Sequence, residues 1–307
     1  MSDNYLFISE NQIREHLNPR ELMAAMEAAL IELSAGDVTQ PLRSVIAISE
    51  QNAWFGVMPA VYRDVIGAKL VTVFPNNVSK GLDTHQALIQ LFDRATGVPL
   101  AALDGRWITA WRTAAVSALA TRELAKRDAH VLAILGSGVQ ARTHWEMLRA
   151  VRNFDDVRVW SRTPENARRF AEEVQASVMS AEEAVRGADV VVTVTHSSEP
   201  VLRGEWLSPG AHVNAVGAVG LHARELDDIA MRRSTVVVES AEAAVQESGD
   251  IVHAAVSIYA ELGEILSGKK PKPQGCNTVY KSLGVAVEDV AAARMVYAKL
   301  TGLPARI

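Results

Sequence analysis

Three groups of residues in this chain could do chemistry. The first lies in "AILGSGVQARTHWEML", where Gly136, Gly138 and Ala141 give the spacing G-x-G-x-x-A between an apolar run and a helix-forming run. Glycines at that spacing allow a tight turn and close approach of backbone to a pyrophosphate. The helix N-terminus behind them supplies N–H groups and a positive dipole end. The second group is a set of cations in apolar surroundings. Arg43 and Lys69 fall inside strand-forming runs, and Arg112 lies between Trp111 and "TAAVSALA". A charge among apolar neighbours is costly unless paired. A substrate carboxylate would serve as the pair, and so would a buried Asp or Glu. His85 in "DTHQAL" reads as a general acid or as a hydrogen-bonded core histidine. The third is "AHVNAVGAVGLHARELDD", residues 211–228, an apolar run that ends in a glycine-rich turn, a usual setting for catalytic groups. Its turn offers Val219 and Gly220, and its first polar side chain is His222.

The strand after the glycine motif ends in Ser161, Arg162 and Thr163. An NAD site expects Asp or Glu at that position, holding the ribose hydroxyls. An arginine and two hydroxyls suit a 2′-phosphate instead, so NADP(H) is favoured over NAD(H). The alternative is a solvated strand end with a surface arginine. No His, Asp and Glu spacing points to a metal, and no G-x-S-x-G supports a hydrolase elbow. His144 and Trp145 read as packing on the helix behind the glycine loop, and His196 as loop.

These residues need elements to carry them. Ser9 and Gln12 form a capping-box pattern, and Asn18, Pro19 and Glu21 open a helix with Leu22, Met26 and Leu30 at helical spacing, ended by Gly36. Residues 41–103 read as strands, the last two joined by "DRATG" as a hairpin. From "HVLAIL" onward, short apolar runs alternate with helices. The expected fold class is therefore α/β, with a Rossmann-type doubly wound parallel sheet after an α+β unit built on a mainly antiparallel sheet. The chain has 307 residues, 49% of them hydrophobic, with net charge −5 and one cysteine. That balance disfavours nucleic acid and anionic membrane as partners and excludes an intrachain disulfide. The polar N-terminus shows no signal-peptide layout, and no apolar run is long enough for a bilayer, so a cytoplasmic location is expected.

The segments "QPLRS", "GAKLVT", "THQA", "WRTAAVSA", "ILGSGVQA", "WSRTPENARRFA", "GEWLSPGAHVNAVGA", "RELDD", "ESGD" and "KSLGVAVED" together resemble the ornithine cyclodeaminase and mu-crystallin family, from about residue 5 to 300. The resemblance implies a homodimer joined through the N-terminal sheet, with the C-terminal helix returning to that domain. It divides the chain into a substrate-binding and dimerisation domain (1–112 and 291–307) and a dinucleotide-binding domain (113–290). It implies that Arg43, Lys69 and Arg112 hold a substrate carboxylate near Val219. Around the dinucleotide it places Thr84, His85, Thr113, Gly136, Ser137, Gly138, Val139, Gln140, Ser161, Arg162, Thr163, Thr195, Val216, Gly217, Ala218, Glu247 and Ser282.

The cyclodeaminases carry an aspartate in the turn where this chain has Val219, which cannot accept a proton. Oxidising an amino acid needs a base for the ammonium proton, whereas reducing a preformed imine needs none. The resemblance therefore implies an NAD(P)H-dependent reductase of α-imino acids, cyclic ones included, with Lys69, His85 or a water as proton relay. One alternative is a cyclodeaminase or alanine-dehydrogenase-like enzyme with His222 as substitute base. Another is a non-catalytic binding protein of the crystallin kind.

Overall fold

Asn18 starts the first long helix, Pro19–Ala35: its side-chain oxygen accepts from the N–H groups of Arg20 and Glu21 at 2.9 and 3.3 Å. Leu22, Met26 and Leu30 face inward, and Gly36 ends the helix at a φ of 85°. The computed structural model describes residues 5–302. The outermost residues of the expected first domain, 1–4 and 303–307, lie outside the described residues, as do the first four of the polar N-terminus. The chain divides into two units, one made of residues up to Arg112 with those from Val285 onward, the other Thr113–Gly284.

The first unit carries strands β1 (Leu6–Ile8), β2 (Ser44–Ile48), β3 (Ala53–Tyr62), β4 (Val65–Val73), β5 (His85–Asp93) and β6 (Pro99–Asp104), in the order β1-β6-β5-β4-β3-β2. All pairs are antiparallel except β1 with β6. On β4 the buried face is Val65, Gly67, Lys69 and Val71, so a lysine occupies a core position of an alternating strand. The C-terminal helix Ala286–Thr301 packs over β3, β4 and β5. Gly67 makes room for it, since a Cβ there would meet Val290 Cγ2 at 2.6 Å. Arg43 does not lie inside a strand as expected; β2 starts at Ser44, two residues after the run's half-buried Leu42. The edge strand β2 is nearly all exposed.

The second unit carries β7 (Val131–Leu135), β8 (Asp156–Trp160), β9 (Ser177–Val178), β10 (Val190–Thr193), β11 (His212–Ala215), β12 (Ser234–Val238), β13 (Ile258–Glu261) and β14 (Asn277–Lys281). They form one parallel sheet in the order β13-β12-β14-β11-β10-β7-β8-β9. The sheet winds outward both ways from β7 and β10, which makes their carboxyl ends a topological switch point, the usual ligand crevice of such sheets. The fold is the α/β doubly wound type that the alternation predicts. The sequence reading did not anticipate β14, which sits near the sheet centre between β11 and β12. No helix among the described residues is long and apolar enough to cross a membrane.

Candidate active site

In the first unit, three elements bring charged side chains to one buried spot. Lys69 comes from β4, Arg112 from the helix Gly105–Leu124, and Glu288 and Asp289 from the first turn of Ala286–Thr301. Lys69 Nζ lies 2.5 Å from Asp289 Oδ2, Arg112 Nε donates to Asp289 Oδ1 at 3.0 Å, and Arg112 Nη1 donates to Glu288 Oε2 at 2.5 Å. All four side chains are buried. Of the two pairings open at the sequence level, buried carboxylates are thus present beside both cations. Two positive and two negative charges offset one another, and Asp289 bridges both cations.

Burial pushes the Lys69 ammonium down to about 8, Arg112 and Arg43 add to the effect, and Asp289 opposes it. Burial raises Asp289, but Arg112 and Lys69 outweigh it and hold its carboxyl below the ordinary carboxylate range. His85, the first residue of β5, is pushed down to about 4 by burial and then by Lys69 and Arg112, so its ring is neutral at pH 7. Arg43, half-buried just before β2, belongs to the same electrostatic neighbourhood. Thr84 precedes β5, and its carbonyl accepts from the Phe74 N–H at 2.8 Å.

In the second unit, the loop after β7 has the shape the glycine spacing predicts. Gly136 sits at a φ of 133°, and a Cβ there would meet the Val194 carbonyl oxygen at 2.7 Å. Gly138 occupies the N-cap of Val139–Leu148 with no side-chain cap, and nothing lies within 4 Å of a Cβ built on it. The helix therefore offers uncapped N–H groups to open space, the cradle a pyrophosphate needs. Val139 is exposed, and among the described residues the buried Gln140 Oε1 has no hydrogen-bond partner. Ser137 Oγ donates to Ser161 Oγ at 2.8 Å, tying the loop to the end of β8. Arg162 is exposed, and Thr163 holds the N-cap position of Pro164–Val174 without a side-chain cap bond. His144 is packing, as read: Nδ1 donates to the Gln140 carbonyl at 2.7 Å and Nε2 accepts from Ser117 Oγ at 2.9 Å. Burial pushes it down to about 4.

Thr113 is buried. Thr195, Val216, Gly217 and Ala218 lie just past the ends of β10 and β11. Sequence reasoning missed what holds them, the buried carboxylate of Glu225, to which Thr195, Gly217 and Ala218 all donate. Val219 follows, 40% exposed. The Glu247 carbonyl accepts from the Gly220 N–H at 2.8 Å. Ser282 Oγ donates to Glu239 Oε1 at 2.8 Å, and Glu239, also missed, accepts from the Leu283 and Gly284 N–H groups. Nothing in "RELDD" or "VVVES" marks one carboxylate as internal. Among the described residues, no group of three His, Cys, Asp or Glu is arranged to hold a metal.

Residues 4–303 match the model of the ornithine cyclodeaminase/mu-crystallin family. The chain is 47% identical over 300 residues to a ketimine reductase mu-crystallin of Mus musculus, covering 95% of this chain and 96% of that one. It is 38% identical over 313 residues to a Δ1-pyrroline-2-carboxylate reductase of Bacillus cereus, covering 96% of each. Among solved structures it is similar to the Δ1-pyrroline-2-carboxylate reductase of Thermococcus litoralis in complex with NADH and L-proline. The identity there is 35%, the TM-score 0.91, and the coverage 98% of this chain and 100% of that one.

Proposed function

We propose, from the premise that the chain belongs to the ornithine cyclodeaminase/mu-crystallin family, that it is an oxidoreductase reducing the C=N bond of α-imino acids, cyclic ketimines such as Δ1-pyrroline-2-carboxylate among them, to L-amino acids. The observation that carries this reading is the buried Lys69–Arg112–Asp289 cluster. A nicotinamide cofactor, when bound, supplies the hydride. Lys69, Arg112 and Arg43 bind the substrate carboxylate and orient the imine carbon. At pH 7 an ammonium with its pKa near 8 is mostly protonated, so Lys69 also holds a proton ready for the substrate nitrogen. His85, kept neutral by burial and by the Lys69 charge, is suited to polar contact and not to proton donation. Val219 gives the turn no proton acceptor, which disfavours amino-acid deamination and leaves imine reduction unaffected.

The residues proposed to hold the dinucleotide are Thr84, His85, Thr113, the loop Gly136–Gln140, Ser161–Thr163, Thr195, Val216–Ala218, Glu247 and Ser282. NADP(H) is preferred over NAD(H) in this reading, because the end of β8 carries no acid and presents Arg162 to solvent. Arg162→Ala is expected to lower the NADPH-to-NADH ratio of kcat/KM at least tenfold; an unchanged ratio removes Arg162 as phosphate ligand. A homodimer is proposed through the first unit's sheet. Its edge strand β2 exposes Val45 (55%) and Ile46 (61%), an apolar edge that a second copy would cover. A partner other than a second copy and the small-molecule substrate is not proposed, and a net charge of −5 disfavours nucleic acid and membrane. The single cysteine suits a reducing, cytoplasmic setting.

The test is NADPH oxidation by the purified protein with and without Δ1-pyrroline-2-carboxylate. Imine-dependent oxidation is the expected result. NADPH binding without imine-dependent turnover, with open-chain imino acids also inert, would replace the reductase by a binding protein.

A further inference from the structure

Three charged groups in the second unit, Glu225, Asp250 and Lys281, are fully buried and lie behind the turn that follows β11. One carboxylate, that of Glu225, collects five donors. Oε1 accepts from the Thr195 N–H at 2.6 Å and Thr195 Oγ1 at 2.7 Å. Oε2 accepts from Thr193 Oγ1 at 2.9 Å, the Gly217 N–H at 2.7 Å and the Ala218 N–H at 3.1 Å. These donors belong to the ends of two neighbouring parallel strands, β10 and β11. The carboxylate thus takes over where the ladder between the strands stops.

The other two groups hold Glu225 and the turn from behind. Asp250 Oδ1 accepts from the N–H groups of Glu225 and Leu226 at 2.9 and 3.0 Å, and Oδ2 lies 3.1 Å from Lys281 Nζ. Lys281, at the end of β14, donates to the Ala218 carbonyl at 2.6 Å. Ala218 is therefore gripped on both sides, its N–H by Glu225 and its C=O by Lys281. Gly217 beside it admits no side chain, since a Cβ there would meet the Thr195 carbonyl oxygen at 2.1 Å and Glu225 Oε1 at 2.7 Å. Val219 is the next residue after this fixed peptide.

Buried ionic groups are seldom the most stabilising solution for a core, because their desolvation offsets much of their attraction. Three of them at one turn, at the carboxyl ends of parallel strands where open α/β sheets bind ligands, call for another reason. We propose that Glu225 is a positioning residue for hydride transfer, which with Asp250 and Lys281 fixes the turn Val216–Val219 against the reacting end of the cofactor. This rests on the reductase reading above. Burial raises the Glu225 carboxyl above its ordinary range, Asp250 adds to that, and Lys281 and Thr195 pull the other way. Five converging donors suit an acceptor-only, ionised carboxylate.

The experiment compares wild type with Glu225→Gln, whose amide nitrogen faces N–H and O–H donors it cannot accept from. A misplacement of about 1 Å at a reacting centre costs on the order of 100-fold in rate. The expected result is a fall of that size in kcat, larger than the accompanying rise in the dissociation constant for NADPH, as the glycine loop is untouched. The primary isotope effect with deuterium at the transferred position is expected to rise as hydride transfer becomes rate-limiting. A role in stability alone predicts a lower melting temperature, with kcat per folded molecule and the isotope effect unchanged, and that result overturns the proposal. Should Glu225→Gln fail to fold, Thr193→Val removes one of the five donors from a buried strand residue that is not proposed to touch cofactor or substrate. A several-fold lower kcat at unchanged NADPH affinity supports the proposal, and an unchanged kcat overturns it. Wild type without imine-dependent oxidation sinks the reductase reading and this role together, whereas an active wild type with an indifferent Glu225→Gln sinks this role alone.

Discussion

Replacing Asp289 by Asn tests the charge balance in the first unit. The substitution keeps the side chain's volume but removes one of two carboxylates that face Lys69 and Arg112 and turns one of its two acceptor oxygens into a donor. Two buried cations would then share Glu288 alone. Removing one partner of a buried pair costs about 3–5 kcal/mol. The amide's remaining contacts put this case near the lower end, about 3 kcal/mol, which is roughly 6–12 °C at about 2–4 °C per kcal/mol. Thermal unfolding of both proteins in one buffer reads this directly. A second arm separates charge from packing: adding Lys69→Met to Asp289→Asn leaves Arg112 opposite Glu288, one charge each, and should recover at least half of the lost stability. Asp289 also opposes the fall of the Lys69 pKa to about 8. Without it that pKa drops further, and the alkaline limb of kcat/KM moves to lower pH. A melting temperature within about 2 °C of wild type, together with an unmoved alkaline limb, would refute the reasoning, because the carboxylate would then not balance the cations.

Three further outcomes are expected. His85 and His144, each near 4, and His212, near 3, are held low by burial. The unfolded chain binds protons at these rings near pH 6.5 and the folded chain does not, so stability falls as pH drops from about 6.5 toward 4. Denaturant midpoints at pH 7, 6 and 5 check this; the slope should shrink in His144→Gln/His212→Gln, which keeps only His85 of the three, and an undiminished slope assigns it elsewhere. Lys69 adds an alkaline window of the same sign: its folded pKa near 8 lies below 10.5, so its burial cost is relieved as pH rises from about 8 to 10.5. That gain should be missing from Lys69→Met in the same titration. Gly67→Ala would put a methyl 2.6 Å from Val290 and is expected to destabilise by about 1–3 kcal/mol, with Val290→Ala restoring part of the loss; additive losses in the double variant would disprove the contact.

What the sequence made legible was backbone pattern and strong local signals. The glycine spacing before Val139, the Asn18 cap and the alternating strands depend on neighbours within a few positions, and the structure has them where the residues predict. Lys69 and Arg112 stood out because apolar neighbours make a charge conspicuous. Their partners did not: Glu288 and Asp289 sit in a helix first turn, where acids are ordinary. Glu225, Asp250 and Lys281 were hidden for the same reason, since each is internal only through contacts with distant segments. β14 escaped because Asn277, Thr278 and Lys281 interrupt its apolar pattern, although its central place in the sheet buries most of them.

The place of Glu288 and Asp289 in the chain has a consequence for biosynthesis. Arg112 and Lys69 are made early, but the acids that neutralise them come 176 and 177 residues after Arg112. At about 5–20 residues per second the ribosome needs roughly 10–35 s to supply them. Until then the emerging N-terminal sheet carries two cations on a face meant for burial and lacks the helix that covers β4. It lacks part of its own unit while the second unit, contiguous in sequence, is being completed. The second unit, by contrast, has all of its residues before the last helix is made. A chain cut short before its last helix would display uncompensated charge and bare apolar strand, the features by which quality control recognises an unfinished protein.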